Sequence, residues 1–387
     1  MPPIFPFTTP PTEEADQEAL RLLERGPVVP ATMGPHEVYL ALGYHAVRQV
    51  LSDNRFSREE AIKPGGPVYI PSASNPFVIT SMDPPRHARI RKLMSQTFTP
   101  RMVDRLQPRV QAIVDDLLDP LEPPADLVRD FTGPLPVMVI CELLGAPYED
   151  RSQIESWSRT LTSNVLPIEE IRAAERAIQA YLRDLVELKR REPDEALIAE
   201  LVRVNDAEHH LTADELVSNL QVLLTAGHET TVNQLGNFTV TLLRDPGQLA
   251  LVRDDPGLMP QAIEELLRYS RLSSAALPRV TTEDVLLEGV LIPKGAAVMP
   301  IVAAANRDPS VFPEPHRFDI TRQEPAPHVA LGHGTHFCLG AHLTRLELRV
   351  ALTSLFERFP KLALVTDDLS YDPLSPGRRL MSLRVTW

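Results

Sequence analysis

The chain has 387 residues, a formal net charge of −13, a hydrophobic fraction of 43% and two cysteines. So negative a chain is not suited to general nucleic-acid binding, and two cysteines cannot form a disulfide framework. We recognise no signal peptide and no apolar run of about 18 residues, the length that spans a bilayer. We therefore expect a monomeric cytoplasmic protein without a membrane anchor, folded as one lobed, mainly α-helical domain over residues 1–387.

The first half of the chain is predicted to hold a strand, a short helix, a long loop and then several helices. Residues 37–42 read as a strand and residues 44–51 as a short helix. Residues 57–80 are irregular, because prolines and glycines interrupt them, yet they keep apolar side chains. A long loop of this kind often covers a ligand. Helical patterns then dominate over residues 85–191.

A long helix is predicted over residues 212–244. It opens with a capping box formed by Thr212 and Glu215. Its middle, residues 223–231, contains Gly227 and three threonines, which are poor choices for the centre of a buried helix. Locally poor choices are expected where function imposes them, so this helix is predicted to cross a functional site.

The next segments hold a charged pair and short strands. Glu265 and Arg268 lie three residues apart on one helical face, with apolar flanks. A charged pair packed inward needs further partners, and Arg317 is the candidate third member. Short strands are predicted within residues 278–306, and a last strand at residues 381–385.

Cys338 lies in a glycine-rich loop that includes Gly332 and Gly340. A thiolate is the one soft, strongly electron-donating ligand that a side chain offers a metal. The glycines let the backbone fold tightly around the sulfur and approach a flat ligand. Residues 341–352 have helical spacing, so the positive end of a helix is predicted to favour the ionised thiol. The alternative is an inert, buried cysteine in a turn.

Two other kinds of site find little support. The zinc-protease helix motif needs a second histidine four residues after His228, where the chain has Val232. Zinc at Cys338 and His336 would lack two further closely spaced ligands. No glycine-rich loop stands between a strand and a helix to cradle phosphates.

Taken together, the motifs resemble the cytochrome P-450 superfamily. The cysteine loop, residues 226–230, the Glu265/Arg268 pair and Arg317 occur in the order and spacing of that family. The chain is similar to soluble bacterial members that oxidise natural products. The resemblance implies a large helical lobe that encloses a heme. It also implies small β-sheets near residues 34–44, 278–304 and 376–387.

The resemblance implies a role for several residues around the heme b. Cys338 would be the axial thiolate, which pushes electron density toward the iron and favours O–O cleavage. Gly332 and Gly340 would shape its loop. Two propionate charges in a dry pocket need basic partners. The matching positions are His87, Arg91, Arg279 and His336.

On the opposite face of the heme, the resemblance implies an oxygen-activating segment. Ala226 and Gly227 would leave room for O₂. Thr230 would hydrogen-bond the bound oxygen, and Glu229 would relay protons from solvent. The alternative for Thr230 is a hydroxyl bonded back to the carbonyl one turn earlier. The chain departs from the family at Leu331, where a phenylalanine is usual, so the redox potential or the shielding of the thiolate is expected to differ.

The implied activity is monooxygenation of a mostly apolar small molecule, most simply hydroxylation of a macrolide, a polyketide or a cyclic peptide. Oxidative coupling or epoxidation of an aromatic or cyclodipeptide-type substrate is the alternative with the same heme. A peroxide-driven enzyme and a heme-thiolate carrier or sensor without turnover also stay open. The residues predicted to line the substrate pocket are Tyr69, Ile70, Phe77, Val78, Leu224, Thr225, Ala276 and Leu277.

Electrons are expected to come from separate proteins, because no flavin or iron–sulfur module is recognised in the chain. By the resemblance, NAD(P)H would supply them through a ferredoxin reductase and a ferredoxin. A cluster of basic residues on an acidic protein would suit a small acidic partner, although a solvated helical face is the alternative. The predicted docking residues are Arg86, Arg89, Arg91, Lys92, Arg101, Arg105, Arg109, Arg345 and Arg349.

Overall fold

The computed structural model describes residues 2–7, 13–208, 211–273, 275–323 and 327–387. Helices dominate these residues. The α-helices are α1 (Glu13–Arg25), α2 (Tyr44–Ser52), α3 (Arg58–Ala61), α4 (Arg86–Thr97), α5 (Pro100–Leu118), α6 (Pro134–Leu144), α7 (Arg151–Thr162), α8 (Ile168–Arg191), α9 (Leu197–Glu208), α10 (Ala213–Arg244), α11 (Pro246–Asp254), α12 (Met259–Tyr269), α13 (Val302–Ala305) and α14 (Ala341–Arg358).

The strands are short, and they form small sheets at the periphery of the helical bulk. They are β1 (Val28–Met33), β2 (His36–Ala41), β3 (Phe56–Ser57), β4 (Ala125–Asp126), β5 (Arg279–Thr281), β6 (Val285–Leu287), β7 (Val290–Ile292), β8 (Ala297–Pro300), β9 (Ala363–Leu364) and β10 (Arg384–Thr386). The largest sheet has the order β1-β2-β8-β5-β3. In it β3 runs antiparallel to β5, with Phe56 opposite Thr281 and Ser57 opposite Val280.

Helix α10 crosses the centre of the molecule. Its 32 residues correspond to about 48 Å at 1.5 Å per residue. The predicted capping box is present: the Glu215 N–H donates to the Thr212 hydroxyl at 3.2 Å, and the Thr212 N–H donates to the Glu215 carboxylate at 3.1 Å. Buried residues occur on all sides of the helix, because it packs against α6, α7, α8 and α14. A central position of this kind brings the middle of α10 into the core.

The predicted strand at 37–42 and the predicted helices at 44–51 and 212–244 are confirmed within one or two residues. Strand β1 was not predicted, since Pro30 interrupts its pattern; a proline is tolerated there because β1 is an edge strand. The last strand begins at Arg384, three residues later than predicted. Within the described part of the chain, none of the helices has both the length and the apolar character needed to cross a membrane.

Candidate active site

A cavity of about 200 Å³ lies where the middle of α10 meets the loop that precedes α14. Its wall is mostly apolar, and it includes Ala226 and Thr230 from α10 and Cys338 from the loop. The fold therefore brings the predicted oxygen-side segment and the predicted thiol ligand, which are distant in sequence, to one cavity.

Backbone contacts fix the loop around Cys338. The Cys338 N–H donates to the carbonyl oxygen of Leu331 at 2.9 Å. Gly332 and Gly334 have φ angles of 78° and 67°, in the left-handed region that strains residues with a side chain. At Gly334 a Cβ would also lie 2.7 Å from the Cα of Ser52 in α2. Glycine at this position allows the loop to pack directly against α2.

Opposing influences act on the thiol of Cys338. Burial is the largest and raises the pKa, while a hydrogen bond from the Gly340 backbone and the positive charges of Arg91 and Arg345 lower it. The hydrogen bond from Gly340, at the start of α14, acts in the direction predicted from the sequence, but burial outweighs it and the net direction is upward. A bound cation would favour the thiolate here.

One face of α10 lines the cavity. The Thr230 hydroxyl lies on this face and donates to the carbonyl oxygen of Ala226 at 2.6 Å. The back-bonded alternative is therefore observed, and the hydroxyl oxygen still faces the cavity as an acceptor. At Gly227 a Cβ would lie 2.9 Å from the Ile140 Cδ1. This glycine thus allows α6 to approach α10 in addition to lining the cavity.

Glu229 lies one residue away, on the buried side of α10. Its carboxylate forms an ion pair with Arg379, and both side chains are buried. The other guanidinium nitrogen of Arg379 donates to Glu155 at 3.3 Å, and the Glu155 side chain is 41% exposed. The buried ring of His228 places its Nδ1 3.6 Å from the Glu229 carboxylate. A chain of charged groups therefore connects the middle of α10 with the protein surface.

Basic side chains gather at another side of the cavity. The rings of His87 and His336 lie 4.4 Å apart between centroids, and both line the cavity together with Arg91. Arg91 also donates to the Phe337 carbonyl oxygen at 2.7 Å. Burial, followed by the charge of Arg91, lowers the pKa of His87 to about 4, so the ring is neutral at pH 7. Burial and the nearby charge of Arg279 lower the pKa of His336 in the same direction.

Comparisons with known proteins agree with this geometry. The family model described as cytochrome P-450 matches residues 253–370. The vitamin D(3) 25-hydroxylase of Pseudonocardia autotrophica is 44% identical over 356 residues, which cover 90% of this chain and 88% of that protein. The 6-deoxyerythronolide B hydroxylase of Saccharopolyspora erythraea is 42% identical over 368 residues, 89% of each chain. The crystal structure of a cytochrome P-450 with biaryl coupling reactivity has a TM-score of 0.89 at 37% identity and covers 96% of both chains.

The chain belongs to the cytochrome P-450 family. Its mainly α-helical fold with small sheets is the fold predicted from the sequence, and it is an oxidoreductase of the monooxygenase type that uses heme and O₂. Membership of this family implies that the P-450 cavity holds a heme, which carries two propionate charges.

The charges around the P-450 cavity fit a heme. Three buried or half-buried arginines, Arg58, Arg91 and Arg279, lie in this region. Among the described residues, Asp83 is the only carboxylate that raises the pKa of Arg58 and Arg279. Positive charge therefore predominates around the three arginines, as the two charges of the heme propionates would require. In addition, His87 Nε2 is buried and has no hydrogen-bond partner among the residues that the structure describes. Such a site is suited to an anionic ligand.

The predicted buried ion pair of Glu265 and Arg268 is present, but the third residue of the network differs from the predicted one. Arg268 donates to both oxygens of Glu265 at 2.7 Å, and both side chains are almost fully buried. The side chain of Arg317 is instead 58% exposed and pairs with Glu314 at 3.3 Å, so only its backbone carbonyl reaches Arg268. Arg322 takes the predicted place, with its Nε 3.4 Å from Glu265 and its side chain 9% exposed. This corrects the assignment of Arg317.

The predicted substrate residues do not line the cavity that holds Cys338. Tyr69 packs against Phe5, with ring centroids 5.5 Å apart, and Ile70 joins the same cluster. Leu224 is buried but does not reach the cavity, because it points about 100° away from Leu223, which lies on the cavity face. The remaining predicted residues also lie elsewhere. They are Phe77 on an outer cavity, Val78 in the interior, Thr225 bonded to the Gln221 carbonyl, and Ala276 and Leu277 beside β8 and β5.

Several cavity and site residues were missed at the sequence level. Val222 and Leu223 line the cavity and could have been found, since they precede Ala226 by four and three residues on the same helical face. Ile79 and Thr80 line it directly after the predicted Val78. Arg58, Arg322 and Arg379 carry no local signal, because their partners are distant in sequence.

Proposed function

We propose that this P-450 monooxygenase hydroxylates a mostly apolar secondary metabolite of the macrolide, polyketide or cyclic-peptide class. The observation that carries the proposal is a mostly apolar cavity with Cys338 and Thr230 in its wall. The hydroxylases among the relatives support it, and apolar lining with a few polar groups suits such substrates. Incubation with isotopically labelled O₂ tests it, and one labelled oxygen atom should enter the product.

When bound, the heme supplies O₂ activation. Cys338, in the loop that Gly332 and Gly340 shape, would hold the iron. The basic side chains of His87, Arg91, Arg279 and His336 would hold the propionates. Thr230 would donate or accept a hydrogen bond at the oxygen side of the cavity, next to Ala226 and Gly227. Glu229 would relay protons toward the oxygen side of the cavity, and its ion pair with Arg379, which also reaches the partly exposed Glu155, would hold its carboxylate in place.

Thr230→Ala is expected to uncouple O₂ consumption from product formation. The hydroxyl is a polar group of α10 in the cavity wall, so its loss would remove a hydrogen-bonding group from the oxygen side of the cavity. We expect the product formed per O₂ consumed to fall by at least about 10-fold, because a positioned proton-transfer group typically contributes about 10²–10⁴-fold to a rate. The ratio is measured with an oxygen electrode and product chromatography.

The matched control for Thr230 is Thr225→Ala. Thr225 lies on the same helix and makes the same kind of back-bond, to the Gln221 carbonyl at 3.0 Å, but it does not line the cavity. Thr230→Ser should restore the coupling, because serine keeps the hydroxyl. Equal coupling in Thr230→Ala, Thr225→Ala and the parent enzyme would refute the role of Thr230.

Oxidative coupling or epoxidation is the alternative within the same chemistry. It is favoured by the structural likeness to the P-450 with biaryl coupling reactivity. The labelled-O₂ experiment separates coupling from the other two reactions, since coupling replaces two C–H bonds by a bond between the carbon atoms and places no label in the product. The structure of the labelled product separates an epoxide from an alcohol. A carrier or sensor would give no product in either case, and a peroxide-driven enzyme would need no partner proteins.

The electron donor is proposed to be a ferredoxin with its NAD(P)H-dependent reductase, acting in the cytoplasm. Many predicted docking residues are engaged within the protein: Arg86 and Arg89 pair with Glu215, Arg109 with Glu142, and Arg345 with Glu264. Lys92, Arg101 and Arg105 are exposed and have no ion pair among the described residues. His342 and Asp104 are 2.9 Å apart and join the start of α14 to the start of α5. This contact places Arg101 and Arg105 on the Cys338 side of the molecule.

Reversing the charges of Arg101 and Arg105 to glutamate should slow reduction by a ferredoxin about 10-fold at low ionic strength and weaken the dependence of the rate on salt. Complementary charges steer encounter, and salt screens them, so the two effects should appear together. Stopped-flow reduction at several salt concentrations measures both. Arg21→Glu is the control, because Arg21 is an exposed arginine on α1. Unchanged salt dependence in the double variant would contradict this docking face.

A further inference from the structure

Arg58 is a buried cation beside the proposed heme site. The contacts of its guanidinium group do not explain why a charged side chain is buried there. Its side chain is among the largest that are fully buried in the described residues. The guanidinium donates to three carbonyl oxygens, those of Thr80 at 2.9 Å, Ala73 at 3.3 Å and Pro278. These bonds satisfy its N–H groups but do not neutralise its charge. Burial accordingly lowers the pKa of Arg58 to about 10, although the side chain stays charged at pH 7.

Arg58 lies close to a second buried arginine, Arg279. It begins α3 directly after β3, which pairs with β5, and its guanidinium donates to the carbonyl oxygen of Pro278, the residue before Arg279. Like charges that are close together and buried repel each other. The mutual effect is visible, because Arg58 lowers the pKa of Arg279. Because the repulsion between the two arginines lowers stability, we expect their charges to serve the binding of an anionic ligand.

One carboxylate near the two arginines does not balance them. Asp83 accepts hydrogen bonds from the Arg58 backbone N–H at 3.0 Å and from the Ser57 hydroxyl. The Asp83 carboxylate acts electrostatically on both arginines, so the group of Arg58, Arg279 and Asp83 keeps one net positive charge. The charge of Arg58 also reaches the cavity wall, since it lowers the pKa of His336.

We propose that Arg58 is a positioning residue for the heme, whose charge acts with that of Arg279 to retain the propionates and to raise the reduction potential of the iron. The proposal rests on the proposed function. A cation near the heme favours the reduced state, because reduction removes one unit of positive charge from the iron. Arg58 lies behind Arg279 and contributes through its charge, with no contact to the heme required. Since the group is buried, salt should screen its effect only weakly.

The test compares Arg58→Met with Arg58→Lys in the heme-loaded enzyme. Methionine keeps much of the volume but removes the charge, whereas lysine keeps the charge and loses most of the hydrogen bonds to carbonyl groups. For Arg58→Met we expect a lower reduction potential and heme transfer to excess apomyoglobin that is about 10-fold faster, the factor for one pK unit of interaction. Arg58→Lys should stay close to the parent in both. Redox titration and stopped-flow absorbance provide these measurements.

Two further variants complete the test. Arg55→Met is the matched control, because Arg55 lies three residues earlier, is 44% exposed and pairs with Asp53; it should leave the potential unchanged. Asp83→Asn removes the balancing negative charge and should raise the potential, and it reports on the same electrostatics if Arg58→Met does not fold.

Equal potentials in the parent, Arg58→Met and Asp83→Asn would overturn the proposal and leave Arg58 as a clamp for three carbonyl groups. A potential that falls as far in Arg58→Lys as in Arg58→Met would overturn it too. Failure of the proposed function looks different, since the parent enzyme itself would then form no labelled product while the potentials of the variants still differ.

Discussion

Cys338→Ser is expected to abolish monooxygenation and to remove the thiolate signature from the heme spectrum. Serine has nearly the same shape, but its hydroxyl is a weak and hard ligand that does not donate electron density as a thiolate does. The carbonyl complex of the reduced variant should therefore lose the long-wavelength absorption band of a thiolate-ligated heme. Absorption spectra and product formation, measured on the same preparation, check both effects.

The second cysteine provides the matched control. Cys141 is buried in α6, is 2% exposed and does not line the cavity. Its thiol is an inert core group, since burial raises its pKa to about 12. Cys141→Ser should keep the spectrum and the activity, with a stability loss of about 1–3 kcal/mol for a buried hydroxyl. A thiolate spectrum that survives in Cys338→Ser would remove the basis of the proposed function.

Glu265→Gln is expected to cost about 3–5 kcal/mol of stability, because it removes one charge of a buried ion pair. The two side chains are 4% and 1% exposed, so solvent cannot replace the lost partner. Arg268 also donates to the carbonyl oxygens of Asn306 and Pro315, at 3.0 and 2.9 Å. Loss of its anchor should therefore loosen the segment between α12 and the Cys338 loop. Urea unfolding of the heme-loaded enzyme measures the effect.

Urea unfolding also tests whether Arg322, rather than Arg317, is the third residue of the network around Glu265 and Arg268. Arg322→Met should destabilise the protein clearly, because Arg322 is nearly buried and reaches Glu265. Arg317→Met should cost at most about 1 kcal/mol, the usual value of an exposed ion pair. A larger loss for Arg317→Met than for Arg322→Met would favour the original sequence-based assignment.

Features that depend on neighbouring residues could be predicted from the sequence. The capping box of α10 joins Thr212 and Glu215 across three residues, and the structure has both of its hydrogen bonds. The start of α14 directly after the Cys338 loop is another such case. The family resemblance added the heme site, since it matched His87, Arg91 and His336 to positions that do line one cavity.

Features that depend on register or on the rotation of a helix could not be predicted in the same way. Leu224 was predicted to line the pocket, but Leu223 does so. Both residues are apolar, and only the packing of α10 decides which one faces the cavity. The start of α14 was expected to favour the ionised form of the Cys338 thiol, and the hydrogen bond from Gly340 does lower its pKa. The pKa is raised overall, because burial, which no local pattern reports, outweighs that hydrogen bond and the nearby charges.

The sequence by itself determined the family, the thiol and the order of the main helices, because these follow from local spacing and from motifs a few residues long. The tertiary structure decided which charges meet. It brought Arg58 close to Arg279, replaced Arg317 with Arg322, and joined Glu229 to Arg379. Electrostatic energy depends on distance and burial, and for residues this far apart in the chain only the folded packing fixes either quantity.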